Sequence, residues 1–269
     1  MNHYRMFHSL TALSLASLTL GSAARAANTQ PRPRLIVTPA SMKPFLSANP
    51  EDSAWKNAPT IPSLPLSLGE ESAGLTALPT QVKLLWDADY LYIRFVCISS
   101  EIHSPYKTHD DPIYKGDCVE MFLDVKGDAR QWIELEVSPR CVTFDKVMTL
   151  TADPISDADL ILAPDLRNRD LWRDLSWTLD GLRTAATIQK SGKRITGWTV
   201  DIALPAKPTL RRLGLDHFAP MTLRANFLRY EYPATNGAKR PLIAMNWSPV
   251  RWGCPHISPQ AMGYLELGE

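Results

Sequence analysis

The sequence lacks the short motifs that mark many catalytic, metal and redox centres. It contains neither a G-x-S-x-G nucleophile elbow nor an H-E-x-x-H zinc motif, so no hydrolase of those two types is indicated. No C-x-x-C pair is present either, which argues against a zinc or thioredoxin-type site. Internal repeats and low-complexity tracts are missing as well, and nothing in the pattern marks a second domain.

Long hydrophobic runs are confined to the start of the chain. Arg5 precedes an apolar stretch from Leu10 to Leu20, which is too short to span a bilayer. The small-x-small sequence at residues 24–26 follows it, so the pattern predicts a secretory signal peptide, residues 1–26, that is cleaved near Ala26. We therefore expect a secreted or periplasmic protein without a membrane span.

The chain also lacks an excess of charge of either sign. It carries 29 Lys and Arg residues against 28 Asp and Glu residues. The predicted signal peptide contains two arginines and no acid, so its removal leaves one more acidic than basic residue. Without a basic surplus to attract polyanions, we expect no nucleic-acid partner and no attraction to anionic membranes.

Proline and tryptophan, by contrast, are plentiful. The chain has 22 Pro and 8 Trp residues, and proline exceeds its ordinary usage of about 5%. This composition indicates an all-β domain with ordered loops. We divide the mature chain into a leader, residues 27–44, that contains an edge strand at Leu35–Val37, and one β-sandwich domain, residues 45–269.

Four cysteines leave the redox chemistry open. Cys97, Cys118, Cys141 and Cys254 could form two disulfides in an oxidising compartment, with three pairings available. Buried free thiols are the alternative, because three of the four fall in predicted strands.

Alternating apolar runs at regular spacing predict antiparallel strands rather than βαβ units. Residues 151–177 interrupt this rhythm and are predicted to form an insertion outside the sandwich, with a helical turn near Leu171-Trp172. A short helix is predicted after Pro205. The fold class that follows is an all-β, antiparallel two-sheet β-sandwich, Ig-like or jelly-roll-like, with few short helices. The predicted strands are residues 81–86, 90–98, 118–124, 132–138, 141–150, 184–190, 194–204, 221–232 and 262–267.

One strand carries a carboxylate at an unexpected place. From Cys118 to Asp124, Val119, Met121 and Leu123 alternate with a second set that includes Glu120. A carboxylate on an apolar strand face is costly unless it has a partner, so Glu120 is either paired with a base on the next strand or kept to hold a ligand. The neighbouring strand would place Glu136 on the same face.

The order of landmarks along the chain resembles the family 9 carbohydrate-binding modules and their exported relatives, within the DOMON-related β-sandwich superfamily. The resemblance covers nearly the whole mature chain, and it implies a two-sheet sandwich that binds sugar. The landmarks are Trp55-Lys56-Asn57-Ala58, residues 82–93, 117–124, 197–205 and 224–229, Trp247-Ser248-Pro249, and residues 256–263.

The resemblance also implies a site. Two aromatic groups would sandwich a terminal sugar, and polar strand residues would bond its hydroxyls. By position in the family motifs, the stacking residues here are Tyr114 and His256, where His256 replaces a Trp and offers a smaller face. The polar residues are Glu120, Glu136, Ser138 and Asn226. We expect a carbohydrate partner, a non-catalytic role in carbohydrate catabolism, and association with a polysaccharide-degrading enzyme system.

Resident cofactors are not expected, with calcium as the one exception. Members of the family can bind calcium structurally through loop carboxylates, and Asp87, Asp89, Asp124 and Asp128 are the candidates here. Aspartates in hairpin turns ordinarily serve the turn itself, and no EF-hand spacing is present.

Two other functions compete with sugar binding. A glycosidase could use a pair of carboxylates such as Glu120 and Glu136. A haem module could hold its iron between His256 and a methionine, with Met121, Met245 and Met262 as candidates, although the chain has no C-x-x-C-H attachment motif.

Overall fold

The computed structural model describes residues 32–67, 74–151, 170–237, 239–248 and 258–269. These residues belong to one compact unit, Arg32–Glu269. Thirteen strands lie in the described ranges. They are β1 (Arg34–Val37), β2 (Thr60–Ile61), β3 (Thr80–Trp86), β4 (Tyr90–Ile98), β5 (Cys118–Asp124), β6 (Gln131–Val137), β7 (Thr143–Leu150), β8 (Leu171–Asp174), β9 (Arg183–Ser191), β10 (Arg194–Pro205), β11 (Met221–Glu231), β12 (Ile243–Asn246) and β13 (Gly263–Leu267).

Two sheets face one another. The first sheet has the order β1-β13-β11-β5-β6-β7-β8, with β12 paired to β11, and the second has the order β2-β3-β4-β10-β9. Every pairing between these strands is antiparallel except that of β1 with β13. The predicted fold class, an antiparallel two-sheet β-sandwich, is confirmed.

Helical structure is brief in the described residues. One α-helix, α1 (Ala206–Thr209), follows β10, and short 3₁₀ turns lie at Ser53–Trp55, Ile113–Lys115, Arg211–Leu213 and Pro259–Ala261. The predicted short helix after Pro205 is thus present as α1 and a 3₁₀ turn. No helix within the described ranges is long and apolar enough to cross a membrane.

Period-two alternation decides which side chains fill the sandwich. Val119, Met121 and Leu123 of β5 point into the core between the sheets, where they meet second-sheet residues such as Phe95 and Val200. The opposite side of β5 is also buried, because Cys118 and Phe122 join a second apolar cluster on the outer face of the first sheet. We call this side the outer face, and it is the face that carries Glu120.

Two segments differ from, or add to, the sequence-based expectations, and a third agrees with them. Leu171–Asp174 forms β8 and pairs with β7, so the expected helical turn there is wrong, and this part of the expected insertion lies in the first sheet instead of outside the sandwich. Leu171 is buried in the outer-face cluster, which explains why a strand forms. β12 (Ile243–Asn246) was not predicted, since four residues are too few to show a period. The edge strand expected within the leader is present as β1, which pairs with β13.

Candidate functional site

A cleft of about 620 Å³ opens on the outer face of the first sheet. Four aromatic rings line it, together with two basic side chains and one acid, so it combines apolar surface with charged groups. The rings are Tyr114, Phe144, Tyr230 and Tyr232, and the charged residues are Asp110, Lys146 and Arg173. Clefts with this mixture are the usual sites for small ligands, because apolar walls supply contact area and a few polar groups fix orientation.

Tyr114 is held in place as one wall of this cleft. It lies in the 3₁₀ turn Ile113–Lys115, which leads directly into β5. Its ring meets the edge of the Phe144 ring with centroids 5.8 Å apart and an interplanar angle of 71°. Tyr232 donates a hydrogen bond of 2.8 Å from its hydroxyl to the Tyr114 carbonyl oxygen. Tyr114 remains 37% exposed, so a ligand can reach its ring.

The sequence-predicted carboxylates lie beside the cleft. Glu120 and Glu136 are directly opposite each other in the β5–β6 ladder, as their shared face predicts. Both are about 1% exposed, and neither is among the described residues that line the cleft. A basic residue, Lys146, lies on the same face of the neighbouring strand β7. Its ammonium is 2.6 Å from the carboxylate of Glu134, its cross-strand neighbour on β6.

Burial and like charge both act on Glu136. Burial raises the pKa of its carboxyl well above the usual value, the charges of Glu120 and Glu134 raise the pKa further, and Lys146 opposes them. The Cys118 thiol beside them also has a pKa raised well above its usual value, first by burial and then by Glu120. Burial in this part of the outer face therefore disfavours the charged forms of Glu136 and Cys118.

The remaining residues predicted to bind the sugar form hydrogen bonds to nearby backbone groups, where the structure describes them. Ser138 accepts hydrogen bonds from the backbone amides of Arg140 and Val142, and this closes the β6–β7 turn. Asn226 accepts a hydrogen bond from the Ser248 amide and donates one to the Ser248 carbonyl oxygen, so its amide group ties β11 to the segment after β12. His256 lies outside the described residues.

Three of the four calcium candidates bond to their own turns. Asp87 accepts hydrogen bonds from the amides of Asp89 and Tyr90, and Asp124 accepts three from the amides of the β5–β6 turn. Asp128 bonds the Arg130 amide and pairs with Arg212 at 3.2 Å, and Asp89 lies 3.9 Å from Lys43. Hydrogen bonds within the turns therefore account for Asp87, Asp124 and Asp128.

Apart from the half-buried Cys141, the described cysteine and methionine candidates lie in packed surroundings. Cys97, Cys118 and Cys141 are free thiols, and burial raises the pKa of Cys97 to about 12. Cys254 lies outside the described residues. Met121 and Met245 belong to the core between the sheets, and Met262 belongs to the outer-face cluster.

Sequence reasoning missed most of the cleft. Phe144 and Lys146 alternate on β7, and pairing β6 with β7 through their short turn would have placed both on the face of Glu134 and Glu136. Tyr230 follows Leu228 by two residues on the outer face of β11 in the same way. Arg173 carried no usable signal, because β8 itself was not recognised.

Comparisons with known proteins agree with this architecture. A family model described as "Carbohydrate family 9 binding domain-like" matches residues 48–226. No curated protein sequence matched.

Three solved structures are similar. A Bacteroides uniformis protein to which carbohydrate binding is ascribed has a TM-score of 0.61 at 11% identity and covers 88% of this chain and 100% of its own. A family 9 module from Caldicellulosiruptor kristjanssonii with glucose has a TM-score of 0.57 at 16% identity, covering 88% and 96%. The structure of a family 9 module from the same organism with cellotriose has a TM-score of 0.56 at 16% identity, and the match covers 87% of this chain and 93% of the module. At these identities the likeness is one of fold.

Proposed function

Since the chain belongs to the carbohydrate family 9 binding domain-like family, we propose that it binds a terminal sugar of a poly- or oligosaccharide without catalysing a reaction. The observation that carries the proposal is the aromatic cleft beside Tyr114 on the outer face of the first sheet. Glucose and cellotriose occupy family 9 modules of similar fold, which supports a carbohydrate as the ligand class.

The chemistry of the cleft suits a pyranose. A sugar ring has apolar C–H faces and hydroxyl edges, so an aromatic ring packs on a face while charged groups bond the edges. Tyr114 provides the exposed ring, and Lys146, Arg173 and Asp110 provide the charged groups. Hydrogen bonds to charged groups are roughly twice as strong as those between neutral groups, so the charged groups would fix the orientation.

Among the ligands predicted from sequence, Tyr114 carries the test because it lines the cleft and is exposed. Contributions from Glu120, Glu136, Ser138, Asn226 and His256 stay predictions. We place the protein outside the cytoplasm because of the predicted signal peptide. Its family supports a role in carbohydrate catabolism beside polysaccharide-degrading enzymes. Sequencing the amino terminus of the exported protein should find a start near Ala27, and a start at Met1 would argue against export by this route.

The binding proposal is tested by a glycan array followed by calorimetry with the best ligand. Loss of one stacking ring costs on the order of 1 kcal/mol of apolar contact. Tyr114→Ala should therefore weaken binding roughly 5- to 10-fold. Phe45→Ala is the matched control, because Phe45 is 76% exposed and is not among the described cleft residues. Equal affinities for the two variants would place the sugar elsewhere.

The same preparation separates the competing functions. Release of reducing sugar from mixed polysaccharides, lost in Glu120→Gln, would support a glycosidase instead. A Soret band in the purified protein would support a haem module. We expect neither signal.

A further inference from the structure

A second group of polar side chains lies where the segment before β5 crosses the start of β7. The His109 Nε2 atom is 3.4 Å from Asp110 Oδ2 and 3.6 Å from Asp145 Oδ1. His109 and Asp110 are partly exposed, with 43% and 38% of their side chains accessible, whereas Asp145 is 1% exposed. The group is therefore closed by the buried Asp145 on one side and open to solvent on the other.

The contacts on the far side of the His109 ring decide which nitrogen faces the carboxylates. Nδ1 lies 3.1 Å from the Thr143 carbonyl oxygen and 3.0 Å from the Thr143 hydroxyl oxygen, so Nε2 is the nitrogen that faces the two aspartates. In the tautomer in which Nδ1 donates to the carbonyl oxygen, Nε2 has a lone pair free to bind a metal. A backbone carbonyl behind the ring is the arrangement that orients metal-binding histidines in proteins.

The buried carboxylate supplies an independent observation. Asp145 Oδ2 accepts a hydrogen bond of 2.6 Å from the Leu179 amide. Asp145 Oδ1 is buried and has no hydrogen-bond partner within the described part of the chain, and it is the oxygen that faces His109. A buried carboxylate oxygen without a partner is costly, and a cation beside it would remove that cost.

The distances from Nε2 to the two carboxylate oxygens match those of a metal site. Zinc binds His nitrogen and carboxylate oxygen at about 2.0–2.2 Å, so donors at tetrahedral angles stand about 3.3–3.6 Å apart. The two separations from Nε2, 3.4 and 3.6 Å, fall in this range, and all three donor atoms lie within 4.8 Å of one another. Three protein ligands with a solvent-facing fourth position is an arrangement that zinc accepts.

We propose that His109, Asp110 and Asp145 form a site for a divalent transition metal, with Zn²⁺ as the probe ion. The absence of C-x-x-C pairs argues only against zinc sites built on paired cysteine thiolates. A site made of one histidine and two carboxylates does not need such a pair. A metal here would fasten the segment that carries Tyr114 to β7, since Asp110 also lines the cleft and already donates its amide to the Thr143 carbonyl oxygen at 3.0 Å.

The test is calorimetric titration of ZnCl₂ into the metal-stripped full-length protein. We expect one site, with affinity at least tenfold weaker in His109→Gln and in Asp110→Asn. Both positions are partly exposed, so folding should survive. Asn also tolerates the positive φ of 65° at position 110. Circular dichroism of each variant checks the fold, and Co²⁺ in place of Zn²⁺ gives an absorption signature of the ligand set.

Two control variants keep the assignment specific. His217 is an exposed histidine whose Nδ1 lies 2.7 Å from Asp216, so His217→Gln measures adventitious surface binding. Cys118→Ser removes a donor from the other described cluster that could hold an ion, Cys118 with Glu120 and Glu136. Zinc binding that is absent, unchanged in His109→Gln, or lost in either control would overturn the proposal, as would Ca²⁺ binding where Zn²⁺ does not bind.

Discussion

At the scale of single residues, the second sheet contains a buried ion pair between Arg94 and Asp201. Arg94 donates two hydrogen bonds to Asp201, of 2.6 and 2.8 Å, and a third to the Asn49 carbonyl oxygen. Asp201 in turn accepts the Ala48 amide at 2.7 Å. The pair therefore fastens the segment before β2 over the outer side of the second sheet, where the Arg94 guanidinium also lies above Trp55.

Removing one partner of this pair should be strongly destabilising. In Asp201→Asn the buried Arg94 charge loses the carboxylate that it bonds twice and keeps only the partly exposed Asp52, 3.8 Å away. We therefore expect a loss toward the lower end of about 3–5 kcal/mol in the free energy of unfolding, measured in urea. Glu266→Gln is the matched control, because Glu266 pairs with Arg34 at the surface and such pairs contribute at most about 1 kcal/mol. Similar losses in both variants would contradict this account.

The raised pKa of Glu136 predicts a pH-dependent stability. The folded state keeps this carboxyl protonated above the pH at which the unfolded chain ionises, near pH 4.3 for Glu. The associated stability is complete below that pH and is lost as pH rises toward the folded-state pKa. Glu136→Gln removes the penalty, so its advantage over the wild type should grow from pH 4 to pH 7 in denaturant titrations. A constant difference would show that Glu136 ionises normally.

At the scale of elements, close contact between strands constrains β10. A Cβ atom on Gly197 would lie 2.3 Å from the Cys97 carbonyl oxygen on β4, at the point where the β9–β10 register shifts. Gly197→Ala should therefore cost about 1–3 kcal/mol of unfolding free energy. Gly237→Ala is the control, since the nearest atom there is a side-chain oxygen at 3.7 Å. A Gly197→Ala variant as stable as this control would refute the constraint.

Elements with a strong local signal could be predicted from the sequence, and two short strands without one could not. The alternation around Met121 set both the strand and its buried face, and Glu120 and Glu136 meet on one face as expected. β8 and β12 have four residues each, so pairing with β7 and β11, rather than any local pattern, decides their conformation.

At the scale of the whole molecule, the cleft is assembled from distant parts of the chain. Tyr114 comes from the turn before β5, Phe144 from β7, Arg173 from β8 and Tyr232 from the position that follows β11. Tyr114 could be assigned from a family motif, whereas the other three become neighbours only through the strand order of the first sheet. Sequence alone therefore predicted one wall of the candidate site and not the opposite side.

The most direct test of sugar binding is a crystal structure of the protein with the best array ligand. We expect a sugar ring against Tyr114, with hydroxyls within hydrogen-bond distance of Lys146, Arg173 or Asp110. The alternative location is the second described cavity, of about 410 Å³, which is lined by Trp177 and Arg212. Sugar density in that cavity, with the cleft beside Tyr114 empty at saturating ligand, would contradict the account.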